Sequence, residues 1–186
     1  MSKQVSIIVY HYVRELKCSR YPEIKGLSVD LFTEQMQYIL KYYRVITMED
    51  LITSAKSGQS LPSNALLLTF DDAYADHFNI VFPILDELKI QGSFFPPAKA
   101  ILEYRVLDVN KIHFILASAA DKLELVEDIY SMLNEFRMEY ALKDNLYYFQ
   151  KLAIADRFDT REVIFIKRIL LWLEKHLLSM SLITCS

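Results

Sequence analysis

Glycine is nearly missing from this sequence. Its 186 residues include 3 glycines, Gly26, Gly58 and Gly92, where average usage of about 7% would give about 13. The 5 prolines stop almost as early, at Pro22, Pro62, Pro83, Pro96 and Pro97. Tight turns rely on these two residue types, so the stretch after residue 97 is expected to hold long helices rather than many short strands. The same gap excludes a glycine-rich phosphate cradle past Gly92. Cysteine is also scarce: Cys18 and Cys185 lie far apart without metal-type spacing, which reads as two reduced thiols in a reducing compartment. Positive charge is not in excess. The net charge of -3 and the pI near 5.8 leave no electrostatic footprint for nucleic acid.

Long uncharged apolar runs are absent as well. The start, MSKQVSIIVYHYVREL, is too short and too soon interrupted for a signal peptide. The most apolar later stretch, residues 163–183, carries Lys167, Arg168, Glu174 and Lys175. No window reaches the roughly 18–20 uncharged residues a membrane span needs, so no span is expected and the chain reads as cytoplasmic. What is present is globular: 53% apolar and 24% charged residues, in a length that fits one domain or a domain plus an appendage.

The first half alternates strands and helices. VSIIVY at 5–10 and ALLLTF at 65–70 are continuous apolar runs of the kind that form buried parallel strands. Ser28 or Asp30 is expected to cap a helix striped by Leu31, Met36, Ile39, Leu40 and Tyr43. A short strand at 44–46 follows, and Thr47 with Asp50 forms an acidic variant of the capping box. A helix over residues 74–88 turns Ile80, Val81, Ile84 and Leu85 inward, with Pro83 opening its main segment after a loop. Gly92 then precedes a strand at 93–95. This order predicts an α/β fold with parallel strands. Residues 98–186 read as a succession of helices. Leu123, Val126, Ile129, Tyr130 and Leu133 stripe one of them, and Ile166, Leu170, Leu173 and Leu177 stripe the last.

The strongest chemical signal is LLLTFDDAYADHF, residues 66–78. Asp71 and Asp72 follow directly on a buried strand, and active sites of parallel sheets form at the carboxyl ends of strands. Crowded carboxylates raise each other's proton affinity. A divalent metal on one removes that conflict and leaves the other as a general base. The plainer alternative is one helix-capping and one solvated aspartate. His11, at the carboxyl end of the first strand, shares the rim if the two strands are neighbours, or is structural. His77 reads as a surface helix position, His113 as a hydrogen-bonded core or interface residue, and His176 as solvated. Tyr10, Tyr12, Phe94 and Phe95 are either core or a platform for a sugar face. Tyr140, Tyr147, Tyr148 and Phe149 read as helix packing.

The run LLLTFDDAYADHFNIVFPILDELKIQGSFFPP resembles the first motif of the polysaccharide deacetylases, the NodB-homology group among family-four carbohydrate esterases. That motif is usually Thr-Phe-Asp-Asp-Gly, followed by a helix and an Ala-Thr-Phe-Phe strand. It stands here as Thr69-Phe70-Asp71-Asp72-Ala73 and Gly92-Ser93-Phe94-Phe95, and VYHYV is similar to the family's tyrosine-histidine start. The resemblance covers about residues 5–97. It implies a distorted (β/α) barrel, a divalent metal that is usually zinc, and hydrolysis of acetyl groups on an acetylated glycan.

By position, Asp71 would be the general base and Asp72 the metal ligand, with His11, Ala73 and Tyr74 at the site rim. The backbone at Ala73–Tyr74 would assist the oxyanion. Alanine replaces the family's glycine at position 73, and the second metal motif, His-x-x-x-His, is absent. The expected fold is therefore an incomplete (β/α) barrel-like N-terminal half of a deacetylase fold, residues 1–97, followed by an all-helical segment, residues 98–186. The expected function is a metal-dependent hydrolase that removes acetyl groups from amino sugars, truncated before its second metal motif. The apolar ending LLSMSLI underlies the truncation. The alternative is a non-catalytic deacetylase-like binding module. Three or four strands do not close a barrel, so unpaired strand edges predict self-association. ALLLTFDD also looks like the acidic strand of a nucleotide hydrolase, but no G-x-x-x-x-G-K-S/T accompanies it.

Overall fold

The computed structural model describes residues 4–181, with side chains described through residue 176. The chain is α/β, a parallel sheet with helices followed by helices alone. It divides into two compact units, Met1–Arg105 and Val106–Ser186.

In the first unit the sheet is built on β3 (Ala65–Asp71), whose first six residues are all buried. β1 (Val5–Tyr10) runs parallel along one edge of β3, from Val5 opposite Ala65 to Tyr10 opposite Phe70. The other edge is shared. β2 (Arg44–Val45) pairs with Ala65 and Leu66, and β4 (Ser93–Phe95) pairs with Thr69 through Asp71. β3 is therefore central, which is why ALLLTF is apolar at every position. The sequence expectation of a fully buried β1 is corrected. Its outer edge has no strand partner among the described residues, and Ile7 and Val9 are 53% and 52% exposed.

Helix α1 (Val29–Tyr42) starts at Ser28, whose hydroxyl accepts from the Leu31 N–H. Its buried face is Phe32, Met36 and Ile39. Leu31 and Leu40 of the expected stripe are exposed, so the helix is rotated towards Phe32. Phe32 packs edge-on to Tyr10 and Phe70 beneath the sheet. Helix α2 (Met48–Ser57) opens with the Thr47–Asp50 capping box and closes on Gly58 in the left-handed region.

The segment after β3 departs from the expected loop before Pro83. A π-helical turn, His77–Val81, runs directly into α3 (Phe82–Glu87), with Pro83 in the first helical turn. Pro83 has no N–H to satisfy, which suits that position. Val81 and Leu85 are buried against Leu66, Leu68 and Phe70. Gly92 sits where a Cβ would meet the Phe70 ring at 2.6 Å and Leu85 at 2.9 Å. Glycine thus lets β4 close onto β3. A short helix α4 (Ala98–Leu102) ends this part of the chain.

The second unit holds α5 (Asp108–Ser118), α6 (Lys122–Phe136), α7 (Asn145–Leu152) and α8 (Arg161–Ser181). Aspartates start two of them: Asp121 accepts from the Leu123 N–H, and Asp144 accepts from the Tyr147 N–H, both at 2.7 Å. Val126, Ile129 and Leu133 of α6 meet Tyr148 of α7 and Phe165, Ile166 and Ile169 of α8 in one core. Leu123, expected on the buried stripe, is exposed. Leu177 and the terminal apolar run lie outside the residues whose side chains are described. No helix among the described residues is long and apolar enough to cross a membrane.

Candidate functional site

The candidate site forms where β3 ends. Asp71 is the last strand residue, opposite Phe95 of β4. Strand alternation puts its side chain on the sheet face shared by Thr69 and Leu67, away from the Phe70 core. The register places Val9 of β1 beside Thr69 on that face. Val9 and Phe95 are both exposed, so the surroundings of Asp71 are open. Among the described residues, no hydrogen bond or ion pair engages the Asp71 carboxylate.

Asp72 has a different environment. Its N–H still bonds β4, at 3.2 Å from the Phe95 carbonyl oxygen. The backbone then turns through two left-handed residues, Asp72 at φ 73° and Ala73 at φ 49°. This conformation is the one for which glycine is suited, and alanine holds it at a strain of about 1 kcal/mol. The turn brings the Asp72 carboxylate under two side chains. The Tyr74 hydroxyl donates to Asp72 Oδ2 at 2.6 Å, and His11 Nδ1 lies 3.4 Å from the same oxygen. The side chains of His11 and Asp72 are 57% and 24% exposed. Three of the expected site residues, His11, Asp72 and Tyr74, therefore meet in one cluster. Ala73 is exposed, and its N–H makes no hydrogen bond among the described residues.

Burial first, and then the hydrogen bond to Asp72, hold the Tyr74 hydroxyl protonated well above the usual phenol range. Tyr74 consequently stays a donor, and one Asp72 oxygen is fixed in place. The ring is held in turn by Tyr12, stacked on it with centroids 4.1 Å apart. The Arg14 guanidinium lies 4.8 Å over the Tyr12 ring. Arg14 also clasps Asp76, with Nε 2.7 Å and Nη2 2.5 Å from Oδ2. This partly buried pair ties the segment after β1 to the segment after β3, and loss of one partner would cost about 2 kcal/mol.

His77 is the clearest correction. It is 3% exposed, not a surface residue. Its Nε2–H donates to the His11 carbonyl oxygen at 2.6 Å, since a carbonyl only accepts. Nδ1 is buried without a partner, against the rings of Phe70, Tyr74 and Phe94. His77 thus anchors the backbone that carries His11. His77 stands four residues before the buried Val81, so helical spacing puts the two on one inward face. Tyr10 and Tyr12 are core residues and leave only Phe94 and Phe95 accessible as a platform. Arg14 and Asp76 were not singled out from the sequence, and Tyr12 was read only as core or sugar platform. Their contacts span as many as 62 positions, and no local pattern signals them.

A hydrolytic zinc takes three protein ligands and leaves one position open. No group of three or more His, Cys, Asp or Glu side chains able to hold a metal occurs among the described residues. Asp72 and His11 are a pair, and Tyr74 already occupies the shared carboxylate oxygen. The described residues do not fit a complete metal site.

No protein-family model matches the chain, and no curated protein sequence matches it. Three solved structures are similar to it. A de-N-acetylase from Aggregatibacter actinomycetemcomitans is 24% identical over 55% of this chain and 40% of its own, with a TM-score of 0.45. The Streptococcus pyogenes deacetylase PplD, in complex with acetate, is 13% identical over 89% of this chain and 80% of its own, with a TM-score of 0.45. IcaB from Ammonifex degensii is 17% identical over 90% of this chain and 83% of its own, with a TM-score of 0.44. The chain spans less than half of the first of these.

Proposed function

We propose that this chain is a hydrolase that removes acetyl groups from the amino sugars of a glycan, with Asp71 as its general base. One observation carries the reading. At the carboxyl end of the central strand, Asp72 is held by neighbours while Asp71, just before it, has no protein partner among the described residues. A carboxylate committed to structure keeps its hydrogen bonds, whereas a general base needs a free lone pair facing solvent. Asp71 meets that requirement, and Asp72 with its Tyr74 bond does not.

In this reading Asp71 takes a proton from water as the water oxygen bonds to the acetamide carbonyl carbon. The carbonyl becomes an oxyanion next to the free Ala73 N–H. Breaking the C–N bond returns a proton to the departing amine and leaves acetate and a free amino sugar. Phe95, beside Asp71 on the sheet, offers a ring to the apolar face of the pyranose. The cofactor of this reading is a divalent metal, with Asp72 as the ligand carried by the motif. The described residues do not complete its ligand set.

That incomplete set favours a second reading, a deacetylase-like module that binds glycan without cleaving it. Acetate release from an acetylated chitooligosaccharide, measured with and without added zinc, separates the two. The hydrolase reading expects release that falls by about a hundredfold or more in Asp71→Asn. Binding of the oligosaccharide without any release would establish the module instead. Self-association belongs to either reading, through the unpaired outer edge of β1. Sedimentation of a single monomeric species at high concentration would remove it.

A further inference from the structure

The helical unit contains a cavity of about 360 Å³, a size typical of small-molecule sites. It opens where the chain passes from α6 to α7, beside the start of the core shared with α8. Tyr147 and Tyr148 of α7 and Trp172 and His176 of α8 provide ring walls. Trp172 and His176 are stacked with centroids 4.3 Å apart, and Tyr148 lies 5.1 Å from Trp172. Lys143 and Lys151 supply the remaining charge, and the lining includes no Asp, Glu, Asn or Gln. In a chain of net charge -3, the lining residues themselves carry two lysines and no carboxylate, while Glu139 bonds the hydroxyl of the lining Tyr140.

Among the described residues neither lysine has a carboxylate within ion-pair distance. Lys151 Nζ donates to the Tyr147 hydroxyl at 3.3 Å and lies 5.5 Å from that ring centroid. Lys143 is set by its backbone. Its N–H donates to the Tyr148 hydroxyl at 3.3 Å, and its carbonyl accepts from the Arg137 guanidinium. The same guanidinium bonds Asn145 Oδ1 at 2.7 Å. The site is therefore preorganised, which lowers the ordering cost of binding.

The lining decides the ligand class. A neutral sugar presents many hydroxyl donors, and its only side-chain acceptors here would be the tyrosine hydroxyls and His176, two of those hydroxyls already accepting from Lys143 and Lys151. A cation would be repelled by the lysines. An anion that accepts from both ammonium groups and lays a flat ring against the aromatic walls satisfies every feature. We propose that this cavity is a binding site for a small aromatic phosphate or carboxylate. It is separate from the cluster around Asp71 and does not depend on the deacetylase reading.

Trp172 is the only tryptophan of the chain, so its fluorescence reports this cavity alone. Phenyl phosphate titrated into the full-length chain should quench it saturably. The double substitution Lys143→Ala and Lys151→Ala should weaken that binding about tenfold or more. Both lysines are exposed, so the helical circular dichroism should be unchanged. Inorganic phosphate should bind at least severalfold more weakly, because it has no ring. Absence of saturation, unchanged affinity in the double variant, or inorganic phosphate binding as tightly as phenyl phosphate would each overturn the proposal.

Discussion

The two units of the chain solve the same shortage in different ways. Both are poor in glycine, yet the α/β unit has the sharper turns to make. It makes them with other residues: Asn64, Asp72, Ala73, Lys89 and Tyr104 all have positive φ. In the helical unit, Ala141 alone does so among the described residues. Side-chain caps and a continuous apolar seam are enough to order its helices. The difference shows where reactive geometry arises. Two successive left-handed residues at the end of β3 turn Asp72 back under Tyr74 and His11, and Asp71 is left open. Strain and free polar groups coincide there, as is common at functional sites. The regular helical unit instead offers a cavity between well-packed elements.

Substitutions can sharpen that comparison. The largest stability effect belongs to the helical core. Phe165 is fully buried among α6, α7 and α8, so Phe165→Ala should destabilise that unit by about 3–5 kcal/mol. Denaturation followed by Trp172 fluorescence measures it, and a loss below about 1 kcal/mol would mean that this core is not closed as described.

The next effect lies in the α/β unit and depends on pH. Burial pushes the Tyr10 hydroxyl up to about 12, and that hydroxyl donates to Gln35 Oε1 at 2.9 Å. Below pH 10 the folded and unfolded states both keep the proton. Between pH 10 and about 12 the unfolded chain releases it first, so stability falls as pH rises. The loss should be on the order of 2 kcal/mol across that window. Tyr10→Phe should be less stable at neutral pH by about 1 kcal/mol and lose less between pH 10 and 12. An equal alkaline loss in the variant would assign it elsewhere.

The smallest effect is at the turn itself. Ala73→Gly relieves a left-handed alanine at φ 49° and should stabilise the chain by up to about 0.5 kcal/mol once the entropy of glycine is subtracted. A destabilised Ala73→Gly variant in thermal unfolding would argue that the turn is not strained.

How much of this was legible in the sequence depended on whether the signal was local. ALLLTF announced the central strand because burial on both faces leaves no polar position. Ser28, Thr47 and Asp50 announced their caps by spacing. VSIIVY carries the same apolar signal as ALLLTF, yet β1 is an edge strand. Apolar content reports strand type but not how many partners a strand has. Leu31 and Leu40 were placed inward by a stripe that Phe32 pulls round. His77 was misplaced although it stands four residues before Val81, on the face that the stripe of Ile80, Val81, Ile84 and Leu85 already turns inward. At the site, the pairing of Asp71 and Asp72 and the nearness of His11 were readable from strand ends. The hold on Asp72 was not, because it depends on Tyr74, Tyr12 and Arg14, which meet only in the folded chain.

The central claim is that Asp71 is the open general base and Asp72 the held partner. Acetate release from an acetylated chitooligosaccharide, compared between the wild-type chain and Asp71→Asn in the presence of zinc, tests it most directly. The account predicts release by the wild-type chain and a loss of about a hundredfold or more in the variant, with unchanged thermal stability. Equal release by both, or none by the wild-type chain, would contradict it.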